Sequence, residues 1–393
     1  MLLPASYADG YHIDNNSRRT SFDFKLVNNL ILVPVTINDT LDLQFLLDTG
    51  VRSTLLIDEV GLFTRHEDAR PVQIAGVGEQ RHINAFVMDG LKISLPGITG
   101  TNQTMVVLQE DFLKLSTHLG VEVHGIIGYD FFNSFVVQIN YSRHRIVVFN
   151  QGRFKQKRRH IDLPINVEFG RPYLSAKIIQ DDLEEIDAKL LIDSGASHGI
   201  LLEVDSDARL KLPDSVIQTI IGWGLGGELS GFLGRIKSIE IGTFEFEDIL
   251  ASFTEGYSDP RLFESLGRRG SIGGEILSRF TTTYDFANEL IYLRKNTKFN
   301  RKFEFNLSGI DLVAEGKNYK TFRVLNVIDG SPASEADVLQ GDIILRANGQ
   351  YAAQLSLGDL NSMMRLRPGR RIDLVIYREG EILNFRFRLR RLI

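Results

Sequence analysis

Leu46-Leu47-Asp48-Thr49-Gly50 recurs as Leu191-Ile192-Asp193-Ser194-Gly195, an offset of 145 residues. Other landmarks keep that offset. Ile126-Ile127-Gly128 returns as Ser271-Ile272-Gly273, Phe135 as Phe280, Asn140 as Asp285 and Ile146 as Ile291. Ile74-Ala75-Gly76-Val77-Gly78 returns as Ile220-Ile221-Gly222-Trp223-Gly224, one residue beyond it. Self-similarity at one spacing marks two copies of one folding unit. The copies fall in residues 21–150 and 151–298, after an N-terminal extension of residues 1–20.

Each copy is rich in short β-like runs. Leu30–Ile37 ends at the turn signal Asn38-Asp39, and the apolar runs Phe135–Ile139 and Arg145–Phe149 flank a polar turn as a hairpin would. The basic run Lys155-Gln156-Lys157-Arg158-Arg159-His160 between the copies reads as a solvated linker. After Asn296 the character changes. Gly330-Ser331-Pro332-Ala333, Gly341-Asp342 and Asn348-Gly349 are turn signals, Leu360–Leu366 reads as a short helix, and Ile372–Tyr377 and Leu383–Leu389 read as strands joined at Glu379-Gly380. Residues 299–393 therefore form a separate α+β module.

Composition removes several function classes. Of 393 residues, 43% are hydrophobic and 24% charged, as in soluble globular proteins. A net charge of -5 gives no positive field for nucleic acid. The absence of cysteine excludes disulfides, thiol nucleophiles and cysteine–zinc sites. No apolar run is long enough for a membrane span. No metal-binding or serine-hydrolase motif is present, so no metal and no cofactor are expected. Met1-Leu2-Leu3-Pro4 lacks the basic start of a secretory signal. The compartment is cytoplasmic, or periplasmic or exported if a signal was trimmed.

A lone Asp-Thr/Ser-Gly tripeptide arises by chance on the order of 0.2 times in a chain of this length. Two copies, each after an apolar run and each followed at equal distance by an apolar-Gly element, carry far more weight. Two carboxylates held about 3 Å apart cannot both ionise, so they share one proton. The charged partner can take a proton from water and the protonated partner can donate to a carbonyl. Gly50 and Gly195 let the two backbones approach. The hydroxyls of Thr49 and Ser194 are placed to hydrogen-bond across the interface.

The pattern resembles the aspartic peptidases, the retropepsin-like kind more than the pepsin kind, over residues 21–297. The resemblance implies a mainly β, bilobal fold of duplicated half-barrels, with Asp48 and Asp193 as the catalytic pair and Thr49, Gly50, Ser194 and Gly195 supporting it. Both lobes lie in one chain, so dimerisation is not needed. It also implies glycine-rich flap hairpins over a peptide or protein substrate, at Gly76-Val77-Gly78 and Gly222-Trp223-Gly224. Trp223 is either a substrate contact from the flap or a structural aromatic beside it. Gly222, Gly224 and Gly227 formally satisfy a dinucleotide fingerprint, but Gly231 and Gly234 would break the helix that motif requires. His198 is not needed by an aspartic mechanism, and Asp130 and Glu275 read as structural.

The C-terminal module resembles a PDZ domain of the bacterial peptidase type. That likeness implies a loop that takes a peptide C-terminus on backbone N–H groups, with Ser308-Gly309-Ile310-Asp311-Leu312 its best positional match. The leading expectation is an endopeptidase whose PDZ-like module recruits substrate or partner. The rivals are a peptide-binding protein with an idle pair and a PDZ scaffold.

Overall fold

The computed structural model describes residues 10–59, 61–65, 67–75, 82–180, 184–225, 227–254 and 267–393. The first flap position, Gly76-Val77-Gly78, lies outside the described residues. The chain is mainly β, as expected, and its described strands form four sheets.

Strand Leu30–Ile37 turns at Asn38 and Asp39, whose φ of 50° and 58° are left-handed values that these side chains tolerate. It pairs antiparallel with Leu41–Leu47, the strand that delivers Asp48. On its other side Leu41–Leu47 pairs in parallel with Gly125–Ile127, Leu47 opposite Ile127. Lobe 2 repeats this arrangement. Glu185–Ile192 pairs antiparallel with Arg171–Ile179 and in parallel with Arg268–Ile272, Ile192 opposite Ile272. The repeat seen in the sequence is thus a repeat of strand register around each aspartate.

A six-stranded sheet joins the lobes. Its centre is the antiparallel pair Val136–Asn140 with Phe280–Asp285, one strand from each lobe. Gln138 donates from Nε2 to the Thr283 hydroxyl at 3.0 Å across this seam. Phe131, Phe132, Phe135, Phe280 and Tyr284 are fully buried there, in one core that runs through both lobes. Burial of each ring contributes about 1.5–3 kcal/mol, so the lobes are held together by more than the site between them.

The expected N-terminal extension is corrected from Gly10 onward. Gly10–Ile13 pairs with Ile98–Thr101 in lobe 1, and Arg19–Asp23 pairs with Arg145–Phe149 in the shared sheet. These residues complete sheets rather than trail from them. The connector is exposed from Lys155 to Arg159, but His160, read as part of the same solvated run, is buried and stacks on Phe154.

The C-terminal module has its own sheet and its own core, with Ile310, Leu312, Ala314, Leu357, Leu360 and Met364 inside it. Helix Leu357–Met364 begins at a capping box in which the Ser356 hydroxyl accepts from the Asp359 N–H and the Asp359 carboxylate from the Ser356 N–H. Strand Arg371–Arg378 turns through Glu379 and Gly380, both at positive φ, into Glu381–Arg388. Among the described residues no helix is long and apolar enough to cross a membrane.

Candidate active site

Asp48 and Asp193 leave their strands at the same point of each lobe. The Asp48 N–H donates to the Ile127 carbonyl and the Asp193 N–H to the Ile272 carbonyl, both at 2.9 Å. Farther along each loop, Tyr129 N–H donates to Val51 O at 3.0 Å and Gly274 N–H to Ala196 O at 2.6 Å. The apolar-Gly elements therefore clamp each loop from below. A Cβ at Gly128 would strike the Val51 carbonyl, and one at Gly273 the His198 carbonyl. Both are backbone atoms that cannot yield, which is why the elements end in glycine.

The two loops lock to each other through their hydroxyl residues. Thr49 and Ser194 are both fully buried. The Thr49 N–H donates to Ser194 Oγ, and the Ser194 N–H donates to Thr49 Oγ1, each at 3.0 Å. Each hydroxyl then donates across to the other lobe's strand, Thr49 to Ile192 O at 2.6 Å and Ser194 to Leu47 O at 2.9 Å. Four buried hydrogen bonds, at about 1 kcal/mol each, thus set one loop against the other. Arg171, which the sequence did not single out, adds an exposed hydrogen bond from Nε to the Gly50 carbonyl at 3.0 Å.

This lock brings the two carboxyls to one place. A Cβ at Gly50 would lie 3.1 Å from Asp193 Cγ and 3.2 Å from Asp48 Oδ1, so both side chains flank that glycine. A Cβ at Gly195 would overlap the Asp48 carboxyl itself. The Gly50 N–H donates to Asp48 Oδ1 at 2.6 Å and the Gly195 N–H to Asp193 Oδ1 at 3.0 Å. Burial holds the Asp48 carboxyl well above the usual carboxylate range, and the charge of Asp193 raises it further.

The model for the family described as aspartyl protease matches residues 33–131 and again residues 179–275. Both lobes belong to the aspartyl protease family. A PDZ domain matches residues 307–389. No curated protein matches the chain.

Near the paired protease loops, His198 and Glu275 each have a protein partner. His198 donates or accepts at Nε2 with the Ser271 hydroxyl at 3.0 Å, and burial lowers its pKa to about 4. Glu275 faces Arg279 at 3.7 Å one helical turn on. Among the described residues no cluster of three or more His, Asp or Glu side chains is arranged to hold a metal ion.

Gly222-Trp223-Gly224 ends one arm of a hairpin whose strands are Val216–Gly224 and Gly227–Ile241. No helix follows, in keeping with the rejection of the dinucleotide reading. Trp223 packs on lobe 1. Its ring lies 4.4 Å from that of His118, and the Lys114 ammonium is 5.3 Å from its centroid. Neither His118 nor Lys114 carried a sequence signal.

The PDZ loop Ser308-Gly309-Ile310-Asp311-Leu312 is largely enclosed. The Ser308 N–H donates to Asn306 Oδ1 at 2.9 Å and the Ile310 N–H to Ser308 Oγ at 3.1 Å, so two of its donors are engaged internally. Burial pushes Asp311 up to about 6, against the lowering effect of Asn326, Arg365 and the Thr219 hydroxyl of the hairpin. The unfolded chain ionises this carboxyl first as pH rises above its ordinary value. Stability is therefore lost between that value and about pH 6, and the penalty is complete above it. Asp311→Asn is expected to stabilise the protein by about 1–3 kcal/mol near pH 7.5 and to leave it unchanged near pH 3.5. Thermal unfolding at the two pH values checks this. Equal effects at both would mean that the carboxyl carries no burial penalty.

Proposed function

We propose that the protein is an aspartic endopeptidase in which Asp48 and Asp193 act as one acid–base pair. The observation that carries this reading is the crossed Thr49–Ser194 lock, which sets the buried Asp48 carboxyl and the partly buried Asp193 carboxyl around Gly50. Asp48, whose carboxyl burial pushes up, holds the shared proton, and Asp193 serves as the base. Asp193 takes a proton from a water as its oxygen attacks the scissile carbonyl carbon, while Asp48 gives its proton to the carbonyl oxygen. The resulting gem-diol collapses as Asp193 passes its proton to the leaving nitrogen and Asp48 recovers one from a hydroxyl. Atoms balance with water as the only co-reactant, and no covalent enzyme intermediate forms. The PDZ domain implies peptide binding, and in this reading it recruits protein substrates or partners.

The direct test is digestion of a random peptide library, read by mass spectrometry, with and without pepstatin. Cleavage that pepstatin blocks is expected. Cleavage indifferent to pepstatin, or none from folded protein across the acid range, would favour a peptide-binding scaffold.

The pH optimum is a second expectation. Val51 and Ala196 follow the two motifs and have no side-chain donor for the outer carboxyl oxygens. A donor there would favour the ionised form. The kcat/KM profile on one peptide is therefore expected to be bell-shaped with its maximum at about pH 4–6. Val51→Ser with Ala196→Ser should move it acid-ward. An optimum near pH 2, or an unmoved profile in the folded double variant, would show that other groups set the pair.

A further inference from the structure

A PDZ sheet takes its ligand as an added strand along an exposed edge. Here the edge strand is Ile310–Glu315, which pairs on one side only, with Thr321–Val327, among the described residues. Ile310, Leu312 and Ala314 point into the PDZ core beside helix Leu357–Met364. The channel between that strand and that helix is where a peptide would lie.

A piece of lobe 1 already sits there. Helix Leu115–Leu119 packs on strand Ile310–Glu315. Its C-cap Gly120, at φ 67°, enters so closely that a Cβ would come 2.8 Å from Leu357 Cβ and 3.3 Å from Ala314 Cβ. One of those atoms belongs to the PDZ helix and the other to the edge strand. A strand-forming peptide and this helical turn cannot occupy the channel together.

The same turn touches the hairpin on its other face. The His118 ring packs tilted against Trp223, the ring planes 31° apart, and Lys114 lies over the same ring. The hairpin strand Val216–Gly224 also borders the PDZ domain directly. Thr219, Ile220 and Ile221 line a cavity of about 210 Å³ together with Phe305 and Arg365. Moving the turn out of the PDZ channel therefore removes the support under Trp223.

We propose that Leu115–Gly120 is an internal ligand of the PDZ channel, and that a free peptide C-terminus displaces it, releasing Trp223 and the hairpin arm that it ends. The binding competition stands on the packing alone, and its consequence for cleavage rests on the protease reading. By linkage, whatever holds the turn in the channel weakens peptide binding by the same factor.

The chain has no cysteine and a single tryptophan, Trp223, so both a lock and a reporter are available. Gly120→Cys with Ala314→Cys places two Cβ atoms near the roughly 3.5–4.5 Å separation of a disulfide, and because the new Cβ at 120 also meets Leu357 Cβ at 2.8 Å, the reduced form should loosen the turn while the disulfide holds it in place. The probe is a tryptophan-free random decapeptide library with free C-termini, its retained members counted by mass spectrometry. Measurements are made on the full chain carrying Asp193→Asn, so that no readout needs hydrolysis. The reduced protein is expected to retain peptides and shift its Trp223 emission to the red. The oxidised protein should retain at least about ten-fold less and show no shift. His118→Ala, which needs no new bond, should tighten peptide retention by about two- to ten-fold. Equal retention by oxidised and reduced protein would overturn the proposal. So would peptide binding that leaves Trp223 emission unchanged, or no retention by either the reduced protein or His118→Ala. Cleavage by the parent chain, stimulated by the library in the reduced but not the oxidised form, then reads the effect on the cleft separately.

Discussion

Asp193→Asn is expected to lower kcat/KM for peptide cleavage by at least about a thousand-fold while the protein stays folded. The pair works only if one carboxyl is ionised when the other is protonated, and an amide can neither take a proton from water nor pass one to the leaving nitrogen. Groups that act as a unit lose most of their effect when one is removed. The fold should survive because the lock is made by Thr49, Ser194 and Arg171, none of which hydrogen-bonds through the Asp193 carboxyl. The amide oxygen can still accept from the Gly195 N–H. Asp48→Asn should behave alike, since the two positions are equivalent in strand register. Initial rates with circular dichroism on the same samples check this. A folded Asp193→Asn protein that still cleaves would mean a different site.

Gly195→Ala should be the next most damaging change at the site, costing about a hundred-fold or more in kcat/KM. Its new Cβ would overlap the Asp48 carboxyl, which must swing aside. Misplacing a reacting group by about 1 Å can cost that much without touching the chemistry. Gly50→Ala offers an internal contrast. There the nearest carboxyl atoms stand at 3.1 and 3.2 Å, so a shift of a few tenths of an ångström suffices. Its loss should be clearly smaller. Rates for the two alanine variants decide the matter, and equal losses would mean that backbone effects rather than carboxyl displacement dominate.

The protease lobes were legible in the sequence because their key elements are written twice, and the C-terminal module because its turns and hairpin are local. A fixed offset between Asp48 and Asp193, and between Gly128 and Gly273, becomes the same hydrogen bond in each lobe, such as Asp48 to Ile127 and Asp193 to Ile272. The hairpin between Phe135 and Phe149 was legible because its strands are local. Gly10–Ile13 and Arg19–Asp23 were not. They are short and polar, and their partners, near residues 100 and 147, lie far along the chain. The turn at Leu115–Gly120 was missed for a related reason. Its helix has five residues, starts from Lys114 in a left-handed conformation without a side-chain cap, and is set by tertiary contacts with Trp223 and the PDZ domain. Asn306 engages the PDZ loop's donors from outside the stretch that resembled a carboxylate site.

The central claim is that two carboxyls from two lobes share one proton. Carboxyl carbon NMR of 13C-labelled aspartate, titrated in the wild type and in Asp193→Asn, measures this directly. The titration should proceed in two macroscopic steps that belong to the pair, with the upper step well above the ordinary carboxylate range. Asp193→Asn should move that step down, because it removes the neighbouring charge and leaves only burial. Two independent titrations at ordinary carboxylate values in the wild type, with Asp48 unmoved by the substitution, would contradict the account.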